Sequence, residues 1–202
     1  MSLLHLTARY VVFSSVLCPS SARYHWESEF QRWLGDHQDG DGLKDGDTLM
    51  EQKESGSLLK DWQINVLTSS KERVLPFEDT KVVICSYGLA PTLIESEGIS
   101  VGTFRCAIVD ESHMLKNKTT KRTSSLSPIL QATSRCVLLS GTPALARPAE
   151  LWPQLEILGN TTKWWRSEGE FMRKYAKNCG PRERAELHAV GPETVCCLMA
   201  RG

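Results

Sequence analysis

Two short apolar runs, each ending in a cluster of polar residues, constrain this chain more than anything else in it. Cys106-Ala107-Ile108-Val109 leads into Asp110-Glu111-Ser112-His113. About thirty residues later, Cys136-Val137-Leu138-Leu139 opens onto Ser140-Gly141-Thr142-Pro143. An apolar run without polar alternation reads as a strand covered on both faces. Polar residues at the C-terminal ends of such strands are how an open α/β sheet builds a ligand site. An Asp there can hold a divalent cation, and a neighbouring Glu can polarise an attacking water, a pair that nucleotide hydrolases need.

The rest of the chain repeats that alternation. Residues 11–18 form a β-rich apolar run, stopped by Pro19-Ser20-Ser21, a turn and helix N-cap signal. Tyr24, Trp26, Phe30, Trp33 and Leu34 then recur at helical spacing, with Glu27, Glu29 and Arg32 between them. Strands follow at 64–67 and 81–85, the second leading into Ser86-Tyr87-Gly88. The pattern then predicts a helix over 91–97, a strand up to Asp110, a helix over 124–132, a strand up to Leu139 and a helix over 148–158. Alternating strands and helices of this kind predict an α/β domain, a mostly parallel sheet with helices on both faces. Trp164, Trp165 and residues 171–175 point to one further helix, and residues 195–202 show no pattern.

One segment breaks the order. Residues 35–61 hold eight acidic residues against three lysines, with five glycines. The Asp-Gly units resemble a calcium loop, but Leu43 and Lys44 fall where an EF-hand needs an oxygen ligand and a glycine. A solvated surface insertion is the reading that fits.

Composition excludes some classes. The formal net charge is zero, so this is not a basic nucleic-acid binder by bulk charge, although a local basic face stays open. Seven cysteines include no Cys-x-x-Cys pair, which argues against structural zinc and for reduced core thiols. No apolar run reaches the ~20 residues of a membrane helix. Residues 1–18 are apolar, but they lack a basic start and Arg9 interrupts them, so they are not read as a signal peptide.

Singly, the motifs have plain readings. Asp110-Glu111 could be a helix N-cap with a first-turn acid, His113 a surface histidine, and Ser140-Gly141-Thr142-Pro143 a generic turn. Together they resemble the second and third motifs of the SWI/SNF-type ATPases of helicase superfamily two. Residues 16–26 (Val-Leu-Cys-Pro-Ser-Ser-Ala-Arg-Tyr-His-Trp) look like that family's motif Ia, and residues 82–88 look like its Ser-Tyr-Gly segment. Residues 138–151 are similar to its annealing-helicase branch, which remodels stalled replication forks. The resemblance spans residues 11–175 and implies a partial RecA-like lobe carrying the acidic insertion. Residues 1–10 are left unassigned and 176–202 are read as a divergent or truncated tail.

Carried over residue by residue, the resemblance implies that Asp110 coordinates Mg²⁺ and that Glu111 activates the hydrolytic water of ATP. It implies that His113 joins the nucleotide site to the third motif. Ser140, Gly141 and Thr142 would pass the nucleotide state to a DNA-binding face. Pro19, Ser20, Ser21, Ser86, Tyr87 and Gly88 would touch DNA backbone, independently of sequence. It implies nuclear placement and no membrane.

None of the fourteen glycines is followed by lysine, so the Gly-x-x-x-x-Gly-Lys-Ser/Thr loop that cradles phosphates does not occur here. The motifs of a second helicase lobe are missing as well. The sequence is therefore expected to be a piece of an annealing-helicase-like ATPase, a truncated gene model or splice form, inactive by itself and marginally stable. The alternative is a non-catalytic module that binds DNA or a partner of such an ATPase. A chance match of motifs on an unrelated α/β domain is the third reading.

Overall fold

The computed structural model describes residues 12–35, 59–72, 80–142, 148–159, 165–175 and 199–201. Strand β1 (Val12–Cys18) runs through a 3-10 turn at Ser20–Ala22 into helix α1 (Arg23–Leu34). Then come β2 (Ile64–Val66), β3 (Val82–Ser86), α2 (Ala90–Glu95) and β4 (Phe104–Val109). A 3-10 turn at Ser112–Leu115 precedes α3 (Lys121–Ala132) and β5 (Arg135–Leu138). Helices α4 (Trp152–Ile157) and α5 (Glu168–Tyr175) and strand β6 (Met199–Arg201) complete the described elements.

The six strands lie in the order β2-β3-β1-β4-β5-β6. The first five are parallel and β6 pairs antiparallel with β5, Leu138 opposite Met199. This is the expected α/β architecture, a mostly parallel sheet with helices on both faces. The antiparallel strand was not legible: a three-residue run, Met-Ala-Arg, carries no period of its own.

Because side chains alternate along a strand, each strand feeds two cores. Leu17, Val83, Cys85, Ala107, Val109, Cys136 and Leu138 point to one face, where they meet Leu93 of α2, Leu126, Ile129 and Leu130 of α3, and Ile157 of α4. Val16, Cys18, Ile64, Val82 and Ile84 point to the other, against Trp26, Phe30 and Leu34 of α1. Burying an aliphatic side chain contributes ~1.5–3 kcal/mol, so the first face dominates stability.

Local details depart from expectation at two places. Pro19-Ser20-Ser21 does not cap α1 through a side chain; the 3-10 turn leads into the helix with no side-chain cap bond. The acidic segment is expected to end at Asp61, but Leu59 is already buried and its N–H donates to the Leu34 carbonyl at 2.9 Å. The segment's two ends are thereby held together. Its calcium-loop-like residues, 36–58, lie outside the described residues. Among the described residues no helix is long and apolar enough to cross a membrane, no three His, Cys, Asp or Glu groups cluster for a metal, and the four cysteines are free.

Candidate functional site

Parallel strands deliver their C-terminal ends to one edge of the sheet. There the chain gathers Pro19-Ser20-Ser21 after β1, Ser86-Tyr87-Gly88 after β3, Asp110-Glu111-Ser112-His113 after β4 and Ser140-Gly141-Thr142 after β5. Backbone bonds stitch these loops together beyond the strands. Asp110 N–H donates to Leu17 O at 2.8 Å, Leu139 N–H to Val109 O at 2.8 Å, Ser112 N–H to Leu139 O at 2.8 Å, and Tyr87 N–H to Cys18 O at 3.3 Å.

Asp110 is half-buried and held from two sides. Its Oδ1 accepts the N–H of Glu111, and its Oδ2 accepts the indole N–H of Trp26, each at 2.9 Å. Glu111 has φ 51° and ψ 49°, a left-handed backbone that disfavours any residue with a Cβ. An N-cap has an extended backbone and accepts a bond through its side chain. Asp110, the cap in that reading, accepts the Glu111 N–H and the Trp26 indole and, among the described residues, no N–H of the following turn. Glu111 is left-handed where a first-turn acid is helical, so the N-cap reading of this pair fails.

His113 Nδ1 lies 3.1 Å from Glu111 Oε2 and 3.1 Å from Ser140 Oγ, bringing the two polar clusters into contact through one atom. When Nδ1 carries a proton it donates to the carboxylate; when it does not, it can accept from the hydroxyl. Ser140 Oγ also accepts the N–H of Thr142 at 3.2 Å. Gly141 and Thr142 are exposed, and Pro143 lies outside the described residues. Ser112, whose neighbours carry the expected chemistry, turns inward: its Oγ donates to Gln154 Oε1 at 2.8 Å, both residues buried. Gln154 Nε2 in turn donates to Glu150 O at 3.1 Å, tying the carboxylate turn to α4.

The expected DNA-contact residues divide. Ser20, Ser21 and Gly88 are exposed and Pro19 is half-buried. A Cβ placed on Gly88 would meet open space, so backbone can approach a ligand there. Ser86 and Tyr87 correct the expectation that their side chains touch DNA. Ser86 ends a strand buried along its whole length, and Tyr87 is 3% exposed. Its hydroxyl donates to Asp110 O at 2.5 Å, with Glu111 O at 3.4 Å. The Arg122 guanidinium lies 5.5 Å from the ring centroid. Burial, with the Asp110 carboxylate nearby, pushes the phenol well above its ordinary range, so it remains a donor.

Trp26 and Gln154 belong to the site and the sequence reading missed both. Trp26 was placed on an apolar helix face, where periodicity weighs the ring and ignores its N–H. A partly buried indole needs an acceptor for that group, and this was the available signal. Gln154, in a Trp-Pro-Gln-Leu stretch otherwise apolar, was the same kind of clue.

A model of the SNF2-related domain family matches residues 13–194. The chain belongs to that family. This SNF2-related domain is 34% identical over 145 residues to the DNA annealing helicase and endonuclease ZRANB3 of Bos taurus, covering 71% of this chain and 11% of that protein. It is 36% identical over 140 residues to the SWI/SNF-related matrix-associated actin-dependent regulator of chromatin subfamily A-like protein 1 of Bos taurus, covering 69% of this chain and 12% of that one. The chain thus spans about an eighth or less of the curated relatives it matches. It is also similar to the SWI2/SNF2 ATPase core of Sulfolobus solfataricus in complex with dsDNA, with a TM-score of 0.49 and 19% identity over 82% of this chain and 28% of that one.

The family implies ATP and Mg²⁺, and the domain fits half of that. Magnesium takes oxygen ligands, typically one or two carboxylates beside the substrate phosphates. Each Asp110 oxygen accepts one hydrogen bond, which leaves lone pairs on both for a cation. The Gly-x-x-x-x-Gly-Lys-Ser/Thr loop that cradles phosphates does not occur in these 202 residues, since no glycine is followed by lysine.

Proposed function

We propose that this SNF2-related domain is part of the first lobe of a DNA-dependent ATPase of the annealing-helicase kind, one that remodels branched or stalled-fork DNA in the nucleus. The observation that carries the reading is the joined cluster of Asp110, Glu111, His113 and Ser140 at the ends of two neighbouring parallel strands. In the parent protein Asp110 would hold Mg²⁺ and Glu111 would orient the water that attacks ATP, while His113 would join that site to Ser140 of the third motif, which passes its state to the DNA-binding face. The phosphate cradle and the arginines of a second lobe come from outside these residues. An arginine finger alone is worth ~10³–10⁵ in rate, so hydrolysis by the 202-residue chain by itself is expected near background.

Pro19, Ser20, Ser21 and Gly88 form the face that meets DNA backbone. Small hydroxyls and backbone N–H groups position a strand without reading its sequence. The test is binding of the 202-residue chain to forked and duplex oligonucleotides across a salt series. Binding that weakens with salt and weakens further in Ser20→Glu and Ser21→Glu supports the reading. No binding at low salt sinks it.

A further inference from the structure

Two segments proposed to meet DNA each adjoin a part-buried donor to the same residue. Pro19-Ser20-Ser21 runs directly into α1, and Trp26 on that helix donates to the Asp110 carboxylate. Ser86-Tyr87-Gly88 carries the tyrosine whose hydroxyl donates to the Asp110 carbonyl and lies near that of Glu111. Helix α1 and strand β3 are packed on one another through the second core, and the Tyr87 ring that follows β3 is buried in the first. We propose that Trp26 and Tyr87 are positioning residues, through which DNA contact at the 19–21 and 86–88 turns sets the conformation of Asp110 and Glu111.

The receiving end has the property such a link requires. Coupling between sites needs an element with two discrete arrangements that both sites bias. Glu111 supplies one: its left-handed backbone is disfavoured for an L-residue and persists only while its surroundings impose it. Among the bonds that impose it are the tyrosine hydroxyl on the peptide oxygens at its two ends and the Ser112 N–H to Leu139 O. Slackening the tyrosine bond frees the peptide to relax to the right-handed region. That relaxation swings the Glu111 carboxylate away from His113. The indole bond fixes the adjacent Asp110 carboxylate in the same way. Both donors are uncharged, so the link responds to geometry and little to salt.

This inference rests on the DNA reading of the outer turns, and one experiment separates the two. Backbone amide exchange of the 202-residue chain is followed with and without a 30-base-pair duplex at low salt, in the wild type, Tyr87→Phe and Trp26→Phe. In the wild type, DNA slows exchange at Ser21, Ala22, Gly88 and Leu89, and also at Glu111 and Ser112 by roughly fivefold, the worth of one hydrogen bond. In either variant the outer turns stay protected by DNA, while the slowing at Glu111 and Ser112 disappears. A purely structural role would raise exchange without DNA but leave the DNA-dependent ratio unchanged, and that result overturns the proposal. So does protection of the outer turns with none at Glu111 in the wild type. Both outcomes leave the DNA reading intact. No protection at the outer turns defeats that reading and this inference with it. Tyr87→Phe removes a single oxygen and keeps the buried ring, so it decides the matter even if Trp26→Phe fails to fold.

Discussion

Val137 and Leu138 are neighbours on β5, yet Leu138 is completely buried and Val137 only half so. The same contrast runs along β4, where Ala107 and Val109 are sealed while Cys106 and Ile108 are not. The sealed residues face α2, α3 and α4; the others share the face that α1 covers only over β2, β3 and β1. Beside α1 lies an open hollow of about 470 Å³, lined by Trp26, Phe30, Trp33 and Leu34 and reaching Asp110. Trp33 there is 69% exposed. Among the described residues, one face is thus a finished core, and the other is covered where α1 lies. The carboxylate that the proposed chemistry needs stands at the border between them.

Truncations separate the faces most sharply. Leu138→Ala empties a sealed position and is expected to cost about 3–5 kcal/mol, while Val137→Ala, one residue away, is expected to cost less than about 1 kcal/mol. Urea melts of both variants measure this. Equal losses would mean that the second face is covered as fully as the first. A sheet that leaves apolar residues half-exposed on part of one face is also expected to melt broadly or self-associate. A sharp, monodisperse melt of the wild type would contradict that.

Ser112→Ala is expected to rank next, at about 1–3 kcal/mol, because it strips a buried donor from Gln154. Since that bond ties the carboxylate turn to α4, the loss belongs to the finished face. A urea melt reads it, and a neutral result would show that the turn is held by its backbone bonds alone.

The helical period at 24–34, the apolar runs and the polar clusters at their ends were enough to place five parallel strands and the helices between them. They sufficed because each signal is local: a strand buried on both faces is apolar throughout, and a surface helix shows its stripe. Asp110, Glu111, His113 and Ser140 were legible for the same reason, since strand ends put them on one edge. Trp26, Tyr87 and Gln154 were not, because each acts through a polar atom meeting a partner that only the fold brings near. Tyr87 in particular was read as a surface contact from its motif, and burial reversed that. The strand at Met199–Arg201 was invisible because its pairing comes from β5 and not from its own sequence.

The thiols give a smaller, pH-dependent comparison. Cys85 on the finished face and Cys18 on the other are both pushed up from the ordinary value of 9.0, to about 12 and about 11, chiefly by burial. A raised pKa means the folded state holds the proton that the unfolded chain has lost. Stability from these groups is therefore complete below pH 9 and drains away as pH rises towards 11 and 12. The expected loss is at most about 1.4 kcal/mol per pH unit for each thiol, read as a falling Tm above pH 9. A Tm that stays flat to pH 11 would break the account. At neutral pH, half-buried Cys106 is expected to alkylate before either of them.

The smallest expected effect is none: Glu111→Gln should leave phosphate release by the 202-residue chain unchanged, with or without DNA. Glu111 is in contact with His113, and both Asp110 oxygens accept hydrogen bonds, from the Trp26 indole and the Glu111 N–H. What this stretch lacks is the glycine-lysine loop that grips phosphates, as no glycine here is followed by lysine. A well-placed base accelerates nothing unless the bond it attacks is held within reach. Substituting Glu111, the proposed base, is thus expected to be silent here, although it would be severe in a protein that also carries a cradle and a second lobe. DNA-stimulated release that vanishes in Glu111→Gln would show that these residues grip ATP by another route. The open hollow beside Asp110, on the unfinished face, would then be the place to look for it.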